Sequence, residues 1–182
     1  MKNLFPIICF IFVSTSSIAQ NRDKDFCNET PDSSYFPLSI QKKRIQWNNT
    51  GYTEAKIKTK IIDGKEYIIY AQRWKNGDVG TLYLREEGGV VYQRISEIDN
   101  EFVRYDPSFK KGHKWNGEGY FAKFKVVSTN GKLKTPYCSY TKLLVIKGTY
   151  DSGESYKFYY LRGYGYVAAT NRKGLVSFVI PL

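Results

Sequence analysis

The chain has 182 residues, 42% of them hydrophobic and 25% charged, with a net charge of +11. That length suits one domain of ordinary size, large enough to bury its own core. After the first twenty residues no stretch is long and apolar enough to span a bilayer as a helix, and a single histidine with three cysteines offers no metal-ligand spacing.

The chain opens as a secretory signal peptide. Lys2 supplies a positive charge, residues 4–13 form an apolar run interrupted by Pro6, and Ser17 and Ala19 fit the small-x-small cleavage pattern. Residues 1–19 are therefore expected to be removed, with the cut between Ala19 and Gln20. The apolar run is half the roughly 20 residues of a membrane helix. Neither Cys9 nor Cys27 has the small flanking residues of a lipid-attachment site. These features predict an exported protein, periplasmic or extracellular, with no transmembrane segment in the mature chain. Residues 20–34 are polar and read as a flexible N-terminal segment.

From residue 35 to residue 182 the chain reads as a single all-β domain. Glu54, Lys56, Lys58 and Lys60 alternate with Ala55, Ile57, Thr59 and Ile61, the period of a half-buried strand. Asp63-Gly64 marks a tight turn before a strand at 65–74, and Asn76-Gly77 another before 80–85. Gly88-Gly89 leads into 90–95, and 101–105 stops at Asp106-Pro107. In the strand at 119–128, Tyr120, Ala122, Phe124 and Val126 point one way, and Phe121, Lys123, Lys125 and Val127 the other. Asn130-Gly131 is a hairpin signal. Strands at 139–147, 154–161, 164–169 and 175–180 complete about ten antiparallel strands, arranged as a barrel, half-barrel or sandwich. Closing or covering such a sheet removes its exposed edges and leaves an interior concavity, the structural reason to consider ligand binding.

Once the leader is removed, two cysteines remain, Cys27 and Cys138. In an oxidising compartment they are expected to form a disulfide. It would close a loop of about 110 residues, a chain-entropy gain of roughly 4–5 kcal/mol, and would pin the N-terminal segment to the domain.

Several short segments occur in a characteristic order. They are Tyr35-Phe36-Pro37-Leu38, Asp63-Gly64-Lys65-Glu66-Tyr67, Gly89-Val90-Val91-Tyr92, Asp106-Pro107, Gly112-His113-Lys114-Trp115, Thr135-Pro136-Tyr137, and the run from Phe158 through Gly163-Tyr164-Gly165-Tyr166-Val167 to Gly174-Leu175. The order resembles the TapB-like families of exported bacterial domains of unknown function, which pair an early "FPL" segment with a central "G..W" and a late "yy..GvG.v". Gln41 stands where the early motif has glycine, and Arg44 where it has its first tryptophan, with Trp47 three residues on. The resemblance implies an extracytoplasmic, mainly β domain and brings no catalytic residues.

No phosphate-binding glycine loop, serine-nucleophile elbow or zinc-protease motif is present in the sequence. His113 sits in a turn beside Lys114, without a neighbouring nucleophile or orienting acid, and reads as a solvated turn residue. Glu86, Glu87, Asp106 and Glu118 could supply a glycosidase-type acid/base pair only if folding brought two of them within about 5–10 Å. Asn28-Glu29-Thr30 and Asn48-Asn49-Thr50 match the glycosylation acceptor pattern by chance. The sequence thus predicts a non-enzyme without catalytic, cofactor or metal residues.

The basic residues are the candidate site. Lys42, Lys43 and Arg44 cluster, Lys56, Lys58 and Lys60 line one strand face in the alternating pattern, and Lys110, Lys111 and Lys114 flank a loop. Basic charge amid 16% aromatic residues suits an anionic partner, and export argues against nucleic acid. The expectation is a binding or structural module of the cell envelope, contacting an anionic polymer or a protein. The alternatives are a carrier of a lipid or other hydrophobic ligand in an apolar concavity and, behind it, a hydrolase with a carboxylate pair.

Overall fold

The computed structural model describes residues 26–30, 33–97, 100–117 and 122–182. The expected signal peptide and its cleavage site, and Glu118 to Phe121 at the start of the expected strand 119–128, lie outside the described residues. The described part is all-β. Twelve strands follow one another: β1 (Lys42–Trp47), β2 (Thr50–Ile62), β3 (Lys65–Trp74), β4 (Val79–Glu87), β5 (Val90–Arg94), β6 (Phe102–Tyr105), β7 (Lys114–Gly117), β8 (Ala122–Lys134), β9 (Ser139–Tyr150), β10 (Ser155–Leu161), β11 (Gly165–Asn171) and β12 (Gly174–Ile180). No helix among the described residues is long and apolar enough to cross a membrane.

All twelve strands join one antiparallel sheet in the order β6-β5-β4-β3-β2-β1-β12-β11-β10-β9-β8-β7. Strands adjacent in sequence pair with each other except β6 and β7, which form the two edges of the sheet, and β1 also pairs with β12, joining the two halves of the chain. Ile45 of β1 stands opposite Tyr52 on one side and Val179 on the other. The terminal strands β6 and β7 approach each other, which nearly closes the sheet into a barrel. The two strands beyond the expected ten are β1, the closing strand, and the four-residue β7.

The turn chemistry accounts for most of the meander. Asp63 and Gly64 take φ of 50° and 73°, and Gly88 and Gly89 take 58° and 83°. Two successive positive φ values match the twist of a two-residue hairpin. Asn130-Gly131 behaves differently. It lies inside β8, where the pairing with β9 shifts register on both sides of Gly131. A Cβ on Gly131 would come within 2.4 Å of Val145 Cγ2, so the glycine serves a close strand crossing. The reversal comes later, where Thr135 N–H donates to the Cys138 carbonyl at 2.9 Å and Cys138 N–H to Thr135 Oγ1 at 3.1 Å.

Strand β9 is buried on both faces. Leu144 and Ile146 pack with Phe124, Val126, Tyr105 and Tyr160, while Leu143 and Val145 pack with Ile45, Tyr159, Val167, Val179 and Cys138. The N-terminal segment is drawn into this core. Cys27 is bridged to Cys138, with Cα atoms 5.3 Å apart. Thr30 N–H donates to the Arg162 carbonyl, and Gly163 N–H to the Ser34 carbonyl. Phe36 then stacks between Tyr105 of β6 and Tyr160 of β10, at centroid distances of 4.7 and 4.3 Å, and Tyr70 of β3 donates its hydroxyl to the Leu38 carbonyl at 2.7 Å. One short segment therefore ties strands from both halves of the sheet.

A polar cluster fastens the segment after β5. Glu101 accepts from Arg85 Nε and Nη2, both at 2.7 Å, and from the Tyr67 hydroxyl at 2.6 Å. Arg94 donates to the Tyr67 hydroxyl at 3.0 Å and to the Glu97 carbonyl at 3.0 Å. Both arginines are buried, and the hydrogen bonds from Arg85, Lys65 and Tyr67 hold the Glu101 carboxyl well below the usual carboxylate range.

Candidate functional site

The concave side of the sheet holds a half-open cavity of about 190 Å³. Its wall follows the two-residue period of the strands: Lys43 and Trp47 from β1, Tyr52 and Glu54 from β2, Tyr70 and Gln72 from β3, Leu82 and Leu84 from β4, Phe158 and Tyr160 from β10. Gln93, Arg104 and Tyr166 join from β5, β6 and β11, and Phe36, Pro37, Leu38 and Ile40 of the N-terminal segment complete it.

Cross-strand register arranges these groups in rows. Lys43 stands opposite Glu54, and Glu54 opposite Gln72, forming a polar row across β1, β2 and β3. Gln72 Nε2 donates to Glu54 Oε2 at 2.8 Å. The adjacent row is apolar, Ile45 to Tyr52 to Trp74, with the last two rings 4.5 Å apart. On the far wall Tyr166 donates its hydroxyl to Ser177 Oγ at 2.7 Å.

Lys43 is the least expected of these groups. It is 7% exposed, and its ammonium sits 4.8 Å from the centre of the Tyr164 ring. Burial pushes the amine down to about 8, with the field of Glu54 acting in the opposite sense. Gly165, at φ 87°, makes room for it. A Cβ there would lie 3.0 Å from Lys43 Nζ. Burial, reinforced by Glu54, pushes the Tyr70 hydroxyl up to about 12. Burial also raises Tyr52 and Tyr166 well above the ordinary phenol. All three stay neutral at physiological pH. Glu54 is the single carboxylate among the described lining residues. Ring faces beside a buried cation, a carboxylate, amides and neutral phenols can hold an organic molecule by its apolar body and orient its polar end.

The structure disperses the expected basic clusters. Strand alternation turns Lys43 into the cavity and leaves Lys42 and Arg44 exposed. Lys56, Lys58 and Lys60 do not share one face. A bulge at Ile57 pairs Lys56 with Tyr70 but Lys58 with Ile69 and Lys60 with Tyr67, so one extra residue moves the last two to the opposite side. Lys60 also forms an ion pair with Glu97. Past the bulge the supposed apolar face is open to solvent, with Ile57 47% and Ile61 71% exposed.

Among the acidic candidates, Glu86 and Glu87 are exposed, Glu87 pairing with Arg85, and Asp106 caps its own turn by accepting from Ser108 N–H. His113 is an exposed turn residue stacked on Phe109 at 3.9 Å. The cavity residues missed from sequence, Trp47, Tyr52, Glu54, Tyr70, Gln72, Arg104, Tyr160 and Tyr166, carry one local signal. They recur two apart within a strand, as Tyr52/Glu54 and Tyr70/Gln72 do.

No protein-family model matches the chain, and no curated protein or solved structure is significantly similar to it. The resemblance to TapB-like domains thus stands on the order of its sequence motifs alone.

Proposed function

We propose that this chain is an exported, non-enzymatic binding protein that holds a small amphipathic molecule inside its β-barrel. Export rests on the leader and on the disulfide, which fits an oxidising compartment. The single observation that carries the binding reading is the cavity, where strands from both halves of the sheet bring ring faces and polar groups to one half-open space.

Volume narrows the ligand. An engineered cavity of about 150 Å³ takes benzene, whereas drug-sized ligands occupy roughly 300–1,000 Å³. A space of about 190 Å³ suits one or two rings and does not enclose a long acyl chain. That moves the carrier reading from lipid to a compact ring compound. The reading of an anionic polymer bound along the lysine strand ranks behind, because the bulge divides those lysines between two faces.

The test is native mass spectrometry of protein purified from its own host, followed by titration of the apo protein with one- and two-ring compounds while following Trp47 emission. A bound small molecule, or saturable quenching lost in Trp47→Phe, supports the reading. A ligand-free protein that responds to no ring compound would remove it.

A further inference from the structure

We infer that the ligand is an aromatic carboxylic acid whose carboxylate docks on the Lys43 ammonium, at the corner of the cavity formed by Gly165 and Tyr166. This inference rests on the reading of the cavity as a binding site and adds the chemical class of its occupant.

Three observations converge on it. First, Lys43 is almost fully buried, yet among the described residues its ammonium makes neither an ion pair nor a hydrogen bond. Its neighbours are the Tyr164 ring and the more distant charge of Glu54. An ammonium carries three donors, and these line a cavity that an acceptor can enter. Second, Glu54 is already engaged, because one of its oxygens accepts from Gln72. The cross-strand carboxylate therefore biases the amine towards its charged form without satisfying its donors. Third, Lys43 lines the same cavity as the rings of Tyr52, Phe158, Tyr160 and Tyr166 and the guanidinium of Arg104, so an acid group and a ring can be held side by side there. A planar ring lying along Phe158 and Tyr160 would carry its acid group towards that corner. Lysine acts as a point charge without the bidentate fork of arginine, so the site selects for charge and size more than for carboxylate orientation.

Two probes of equal shape separate the terms: 2-naphthoate, an anion, and 2-naphthamide, its neutral isostere, titrated calorimetrically into the mature protein at pH 7. Naphthoate is expected to bind at least about tenfold more tightly, the range of a charge-assisted hydrogen bond. Lys43→Met should bring naphthoate down to the affinity of the amide. Equal affinities in the parent protein would overturn the anion preference and leave the cavity reading standing. Binding of neither probe would overturn both. The comparison in the parent protein decides the question without any variant.

Discussion

Replacing Lys43 with methionine should make the protein more stable, against the usual outcome of altering a buried residue. The amine falls from 10.5 to about 8 on folding. At about 1.36 kcal/mol per unit, the folded state carries roughly 3 kcal/mol of charging cost at pH 7, net of the attraction to Glu54. Methionine has a similar unbranched length and no charge. Its substitution forfeits the contact with the Tyr164 ring, about 1 kcal/mol for a cation over an aromatic face. The expected net gain is about 2 kcal/mol, or about 4–8 °C in melting temperature for a domain of this size.

The pH dependence gives the sharper check. The amine is depressed on folding, so the unfolded chain binds more protons between about pH 8 and 10.5, and the parent gains stability as pH rises through that window. The advantage of Lys43→Met should therefore shrink from pH 7 to pH 10. The groups facing Lys43 from neighbouring elements are Glu54, Arg104, Tyr164 and the raised phenols of Tyr52, Tyr70 and Tyr166. They are common to both proteins and largely cancel in the difference. Urea unfolding of both proteins at pH 7, 8, 9 and 10 supplies the measurement. A variant less stable than the parent at pH 7, or a difference that does not change with pH, would show that the ammonium is well solvated and refute the argument.

Three further outcomes follow from the packing. Non-reducing peptide mapping should join the Cys27 and Cys138 peptides, and Cys27→Ser should lower stability by about 4 kcal/mol through the restored freedom of a loop with a sequence separation of 111; free thiols in exported protein would contradict this. Phe36→Ala removes a ring stacked on both Tyr105 and Tyr160 and should cost about 3 kcal/mol while enlarging the cavity, read as a loss in chemical denaturation and faster exchange of β6 and β10 amides. Glu101→Gln should cost about 3 kcal/mol at pH 7 by removing the carboxylate that accepts from both Nε and Nη2 of buried Arg85. Because Glu101 is held low on folding, its contribution is present above the unfolded carboxyl range and lost as pH falls below it. The variant should accordingly show a flatter decline below pH 5, and parallel acid limbs would argue against the pair.

The sequence by itself determined the local structure. Asp63-Gly64 and Gly88-Gly89 encode their turns because positive φ is a property of those residues, independent of distant contacts. The alternation of Ala122, Phe124 and Val126 with Lys123 and Lys125 marks a strand whose buried face is legible directly. Cys27 and Cys138, the two cysteines outside the expected leader, form the pairing read from the sequence. Only the tertiary structure decided the rest. Nothing near Ile45 announces that Val179 will lie beside it, because strand pairing at that separation is chosen by the whole sheet. Ile57 looks like any apolar strand residue, yet its bulge moves Lys58 and Lys60 to the other side of the sheet. Asn130-Gly131 carries a turn signal but sits in a strand, because the approach of Val145 needs the missing side chain more than a reversal needs the glycine. Alternation separates Lys43 from Lys42 and Arg44, but which of the two faces is the interior depends on β1 joining β12 and drawing the sheet round. A charge that reads as one of a surface cluster thereby becomes a buried amine in the cavity wall.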